Sequence, residues 1–174
     1  MTLRADAQRN LGRVLDAAAE VFAEQGPGAS VDEIARRAGV GHGTVFRRFP
    51  TKDALIAAVV EQRIAELHDL ADHALESADA SAAFTEFVWQ AAEVNARDRG
   101  LHDCLLRCAQ SPASVALQDA GVRVVKRAQR AGAVRSDIDA ADVPLLIRAA
   151  LRAAPPGQWR RYVQIVLDGL GPRA

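Results

Sequence analysis

The stretch SVDEIARRAGVGHGTVFRRFPTK, residues Ser30 to Lys52, decides how the rest of the chain is read. Ser30 is a natural helix N-cap, and Glu33, three residues on, stands where a capping box would reach back to the Ser30 N–H. Val31, Ile34, Ala35 and Ala38 then share one small apolar helical face. Gly39 is the residue best able to take the left-handed conformation that ends a helix. Gly41 and Gly43 flank His42, and Val45, Phe46 and Phe49 supply a second apolar face before Pro50 stops that helix. Two short helices joined by about three or four residues that include a glycine form a helix-turn-helix, whose second helix lies in the DNA major groove.

The charges of the stretch agree. Arg36, Arg37, Arg47, Arg48 and Lys52 crowd against Asp32, Glu33 and the boundary residue Asp53. Lysine and arginine neutralise phosphates, and arginine also reads guanine edges. Gly41, Gly43 and Thr44 are small enough to let backbone N–H groups approach a phosphate at the start of the second helix. A surface hairpin with solvated arginines is the plainer alternative, but capping, turn glycine and basic face coincide here.

The run from Val14 to Leu55, with LDAAAEVFAEQG followed by DEIARRAGVGHGTVFRRFPTKDAL, resembles the DNA-binding domain of TetR-type transcriptional regulators. The features that carry the resemblance are Phe22 and Gly26, Ile34-Ala35, Ala38-Gly39-Val40, Gly43-Thr44, Phe49 and Lys52. The resemblance implies that Thr44 and Lys52 touch phosphates and that His42, Gly43 and Arg47 sit where base edges are read. With Ser30, Arg36, Phe46 and Arg48 these make up the expected DNA-binding set. Two positions depart from the family pattern. Phe46 stands where tyrosine is usual, so a hydroxyl-to-phosphate bond is lost, and Arg48 stands where histidine is frequent, which adds a cation.

Outward from this stretch, 174 residues suit one large or two small domains. Hydrophobic residues make up 49% but aromatics only 5%, a composition that favours closely packed helices. The 22 basic and 22 acidic residues cancel, so any basic surface must come from local placement. No segment approaches the roughly 20 apolar residues of a membrane span, and MTLRADAQRN lacks the apolar core of a secretion signal. Two cysteines and no signal fit a cytoplasmic protein with reduced thiols.

Residues Thr2 to Gln8 read as a short polar arm, whose Arg4 either enters a minor groove or frays with the terminus. The first helix is expected from about Gln8 to Gln25, with Leu11, Val14, Leu15, Ala18 and Phe22 as its buried stripe, and Gly26-Pro27-Gly28 ends it. Thr51 can cap a long helix from Lys52 to about Ser77, roughly 39 Å at 1.5 Å per residue. That is long enough to pass from a DNA-binding domain (residues 1–50) into a regulatory and dimerisation domain (51–174), as a lever between them. Further helices are expected at Ala82 to Ala96, Gly100 to Ala109, from Ser111-Pro112 to Ala131-Gly132, at Val143 to Ala153 with Asp139 as cap, and at Gln158 to Leu170. The fold expected is all-α: a three-helix helix-turn-helix domain followed by a helical ligand-binding and dimerisation domain.

The last two helices are unusually apolar. Leu146, Ile147, Ala150, Trp159, Tyr162, Val163 and Val166 are candidates to meet their copies across a two-fold axis, as similar regulators do, although closure of their own domain explains them too. A homodimer would place two recognition helices about 34–36 Å apart on a pseudo-palindromic double-stranded operator. Phe84, Phe87, Val88, Leu101, Cys104, Leu105 and Cys108 could line a pocket for a small-molecule effector; an ordinary core accounts for them equally. Cys104, Cys108 and His102 have the donors for a soft metal or a redox sensor, but buried cysteines that merely pack are commoner, and no metal or other cofactor is assigned.

No glycine-rich phosphate loop, HExxH or GxSxG is present, and the paired acids lie at helix starts, so an enzyme is not expected. The sequence thus points to a DNA-binding transcriptional regulator, a repressor released by a small molecule. The alternative is a helical ligand- or metal/redox-sensing protein without a DNA role.

Overall fold

The structure, a computed structural model, describes residues 2–97, 111–155 and 157–172. Among these residues the chain is helical with no strand. Its elements are α1 (Thr2–Gln25), α2 (Val31–Ala38), α3 (His42–Arg48), α4 (Lys52–Glu76), α5 (Ala80–Arg97), α6 (Pro112–Arg130), α7 (Asp142–Ala153) and α8 (Trp159–Leu170). Two compact units emerge, one built from residues up to Arg63 and one from Ile64–Ala96 with the residues after 110. The expected helix at Gly100 to Ala109 lies outside the described residues. The stretch read as a polar arm is not an arm, because α1 begins at Thr2.

In the first unit α1 packs on α2, and α2 on α3. Val14, Ala18 and Phe22 of α1 meet a core that also takes Ile34, Ala35 and Ala38 of α2, Val45 of α3, Phe49, and Leu55, Val59 and Val60 of α4. Phe22 and Ile34 are fully enclosed. The stripe read from the sequence is therefore the buried face, with Leu11 and Leu15 half-buried at its margin. One expected core residue is not in it. Phe46 is 37% exposed, because Val45 and Phe49, four residues apart, share the inner face and the residue after Val45 points about 100° away from it.

Local chemistry closes each end. Thr51 caps α4 as expected, its Oγ1 accepting the Ala54 N–H at 3.1 Å. Ser111 likewise accepts from the Ser114 N–H at 3.2 Å, with Pro112 in the first turn of α6. Asp79 caps α5 through the N–H groups of Ser81 and Ala82. Asp139 accepts from the Ala141 N–H just before α7.

The second unit has its own core, in which Ala71 and Ala74 of α4, Phe84, Val88 and Ala92 of α5, Val124, Val125 and Ala128 of α6, and Val143, Ile147, Leu151, Val163 and Leu170 are buried. Arg127 closes the end of α4, donating to the Ala74 carbonyl at 2.9 Å and to that of Ser77. Trp89 and Trp159 meet with their ring planes tilted by 55° and centroids 6.2 Å apart. Ile147 and Val163, expected on a dimer face, are 8% and 0% exposed. Both are turned into their own unit and cannot also meet a second copy. Phe84 and Val88 are core residues, Phe87 packs against that core, and Leu101, Cys104, Leu105, Cys108 and His102 lie outside the described residues.

Because Phe22 is fully buried in the core of the first unit, Phe22→Ala should destabilise that unit by about 3–5 kcal/mol. Urea denaturation followed by circular dichroism measures this; a loss below about 1 kcal/mol would contradict the packing described.

Candidate nucleic-acid interface

The turn between α2 and α3 comes from one residue. Gly39 has φ 66° and ψ 35°, the left-handed region that costs an L-residue roughly 1–2 kcal/mol. Its N–H donates to the Arg36 carbonyl at 3.2 Å, and the Val40 N–H donates to that of Ala35 at 3.0 Å. This paired closure is a Schellman motif, which satisfies the last carbonyls of α2 and turns the chain sharply. The guanidinium of Arg13 lies over the same glycine, 2.7 Å from where a β-carbon would stand. Gly41 then starts α3 in extended conformation, with the Thr44 N–H bonded to its carbonyl at 2.8 Å.

The start of α2 is capped more simply than expected. Ser30 Oγ accepts the Asp32 N–H at 3.2 Å. Glu33 does not reach back to complete a capping box; its carboxylate takes two bonds from Arg36, at 2.6 and 2.9 Å. An adjacent guanidinium outcompetes a backbone N–H for a charged acceptor.

Arg37 bridges α2 to α1 through two parallel bonds to Glu24, at 2.7 and 2.9 Å, with Glu20 at 3.9 Å and Glu33 at 3.5 Å. Of the five basic residues in the stretch, Arg37 therefore serves the fold, and Arg36 is already paired. The Arg37 hydrogen bond holds the Glu24 carboxyl below the ordinary glutamate range, and the Arg36 hydrogen bond does the same for Glu33. Both guanidinium groups are correspondingly raised by their carboxylate partners.

What remains forms the exposed side of α3. His42, Thr44, Phe46, Arg47 and Arg48 all face solvent, opposite the buried Val45, and Gly43 has open space at its α-carbon. Arg47 donates through Nε to the Gly43 carbonyl at 3.1 Å, which extends its guanidinium along the helix with both Nη groups unpaired among the described residues. Arg48 and Lys52 have no carboxylate partner there either, and Lys52 stands half-buried at the first position of α4. His42 is fixed on two sides: its Nδ1 bonds the Asp32 carboxylate, and its ring stacks on Phe46 with centroids 4.4 Å apart. The structure thus groups His42, Arg47 and Arg48 on one short helix, and sets Arg36 apart in its own ion pair.

Family comparison agrees with this geometry. Residues 14–59 match the model of bacterial regulatory proteins of the tetR family, and residues 79–172 match the C-terminal domain of SbtR-like transcriptional regulators. A TetR transcription regulatory protein from Mycobacterium vanbaalenii is 39% identical and superposes with a TM-score of 0.77, covering 97% of this chain and 99% of that one. The chain belongs to the TetR family of DNA-binding transcriptional regulators. The TetR regulator SCO0520 of Streptomyces coelicolor is 30% identical with a TM-score of 0.75, over 94% of this chain and 99% of its own. A transcriptional repressor of the helix-turn-helix type from Mycobacterium tuberculosis shares 53% identity over 49 residues. That segment is 28% of this chain and only 26% of the repressor, so the chain matches about a quarter of that relative's length.

Three participants had not been foreseen: Asp32 as the partner of His42, Arg13 over the turn, and Glu24 as the anchor of Arg37. Ten and thirteen residues separate the members of the two ion pairs, and no helical periodicity links them.

The lowered glutamates set a direction with pH. Their contribution to stability is complete above the ordinary glutamate pKa of about 4.3 and disappears as pH falls through the lower folded-state values. Glu24 is solvent-exposed and Glu33 half-buried at the surface, so the effect is modest and screened by salt. Thermal melts should show Glu24→Gln less stable than the parent at pH 7, the gap closing as the buffer is taken below pH 4. A gap constant across that range would show that Arg37 does not stabilise this carboxylate.

Proposed function

We propose that the chain is a homodimeric repressor that binds a pseudo-palindromic DNA operator through α3 and is released by a small-molecule effector. The reading divides the chain into a DNA-binding domain of residues 1–50 and a regulatory, dimerising domain of residues 51–174, acting in the cytoplasm. The observation that carries it is the exposed face of α3, where Arg47 and Arg48 have no carboxylate partner among the described residues, set on a turn held by Gly39. Repression itself is proposed by analogy with the mycobacterial repressor that shares a 49-residue segment. No helix among the described residues is long and apolar enough to cross a membrane.

In this reading Thr44 hydrogen-bonds a phosphate, Arg48 and Lys52 neutralise phosphates, Arg47 reads base edges, and Ser30 and Arg36 border the contact. Phosphate contacts set affinity and salt dependence; base contacts set sequence choice. Lys52→Ala should weaken binding to all sequences alike and flatten the salt dependence by about one counterion. Arg47→Ala should instead cost about 1–3 kcal/mol on the preferred site and little on unrelated DNA. Titrating both variants against the DNA flanking the protein's own gene, at several salt concentrations, separates the roles. Equal behaviour of both variants and the parent would refute the contact assignment.

The dimer face is proposed on α7 and α8. These helices pack on one another, yet Leu145, Leu146 and Ile165 remain 55%, 45% and 58% exposed. Ala150, Trp159, Tyr162 and Val166 are half-buried on the same two helices. Large apolar side chains left exposed on two packed helices suit a self-complementary contact. Leu145→Glu combined with Ile165→Glu should convert the dimer to a monomer in sedimentation velocity without lowering helix content. A variant that stays dimeric would exclude this face, and a monomeric parent would exclude the dimer.

A further inference from the structure

We propose that Asp32 and His42 form a base-reading pair. The carboxylate holds the imidazole as its Nδ1–H tautomer, so that Nε2 offers a hydrogen-bond acceptor to an exocyclic amine, cytosine N4 or adenine N6, in the major groove. The inference rests on the proposal above that α3 reads DNA, and it assigns Asp32 the role of a positioning residue.

Asp32 is the second residue of α2 and His42 the first of α3, and the tight turn at Gly39 brings them together. The contact joins His42 Nδ1 to Asp32 Oδ1. An ionised carboxylate has only acceptors, so the proton of that bond belongs to Nδ1. In a neutral ring the other nitrogen then carries the lone pair. Phe46, one turn along α3, covers one face of the ring at 4.4 Å between centroids and 29° between planes. Two independent contacts therefore fix the tautomer and the plane of the first side chain of the recognition helix.

The pair is not a stabilising device. The side chains are 53% and 74% exposed, and ion pairs so open to water add little to stability. An acidic side chain beside a phosphate-binding surface also works against affinity. Its value lies in choice. In the major groove only cytosine and adenine present amine donors, whereas guanine offers acceptors at N7 and O6. A ring fixed with its lone pair outward favours the former and repels the latter.

The test is selection of binding sites from a random double-stranded library by the full-length parent and by Asp32→Ala, Asp32→Asn, His42→Ala and the Asp32→Ala/His42→Ala double variant. The position read by the ring is the one whose preference disappears in His42→Ala. There the parent should favour cytosine or adenine about fivefold. Asp32→Ala should drop that preference below about twofold while leaving the other positions and the salt dependence unchanged. Asp32→Asn, whose amide oxygen still accepts from Nδ1–H, should retain it, and removing Asp32 in the His42→Ala background should change nothing further. Should the alanine variant melt early, Asp32→Ser keeps a polar group at the helix start but is too short to reach the ring, and it should behave as alanine does.

Retention of full preference by Asp32→Ala and Asp32→Ser would overturn the proposal. Guanine at that position would overturn it too, since it reports an N–H at Nε2. A parent that enriches no sequence at all would instead remove the reading of α3 as a recognition helix, and this pair with it.

Discussion

The exposed surface of α3 depends on one backbone conformation, the left-handed Gly39 between α2 and α3. It lets α2 end with its carbonyls satisfied and lets α3 start three residues later at a sharp angle. The angle in turn decides which side chains share a surface. With Ile34 and Val45 both buried, His42, Arg47 and Arg48 face outward. A helix of seven residues has little stability alone and holds its place through that core. The presentation of the cations is thus a consequence of hydrophobic packing on the opposite side.

Charge is divided by the same geometry. The stretch looks uniformly basic in sequence, yet its cations do different work. Arg37 ties α2 to the acidic end of α1, and Arg36 is held by Glu33. Arg47 is extended by its own helix backbone, while Arg48 and Lys52 stay open to a partner. A chain with no net charge can therefore carry a locally cationic surface, since its acids are placed where they hold the fold.

Much of the fold was legible because strong local signals agreed with one another. Gly26, Gly39, Thr51, Ser111-Pro112 and Gly132 each mark a helix end that the structure shows, and Phe22, Ile34 and Leu55 fall on the buried faces their spacing implied. What could not be read were choices between equally suitable partners. Glu33 could cap or pair, and Arg36 decided it. Phe46 could face in or out, and the burial of Val45 and Phe49 on the other side decided it. In α7 and α8, apolar on nearly every side, spacing alone could not separate the core residues Ile147 and Val163 from the exposed Leu145, Leu146 and Ile165. Contacts such as Asp32 with His42 depend on the turn geometry and have no one-dimensional signature.

The account comes down to two copies of one short helix, each seated in a major groove on the same side of a duplex. Hydroxyl-radical footprinting on a selected site measures this directly. The account predicts two protected patches centred one helical turn apart, about 10 base pairs or 34–36 Å, on a single face of the DNA. One isolated patch, or protection wrapping evenly around the duplex, would contradict it.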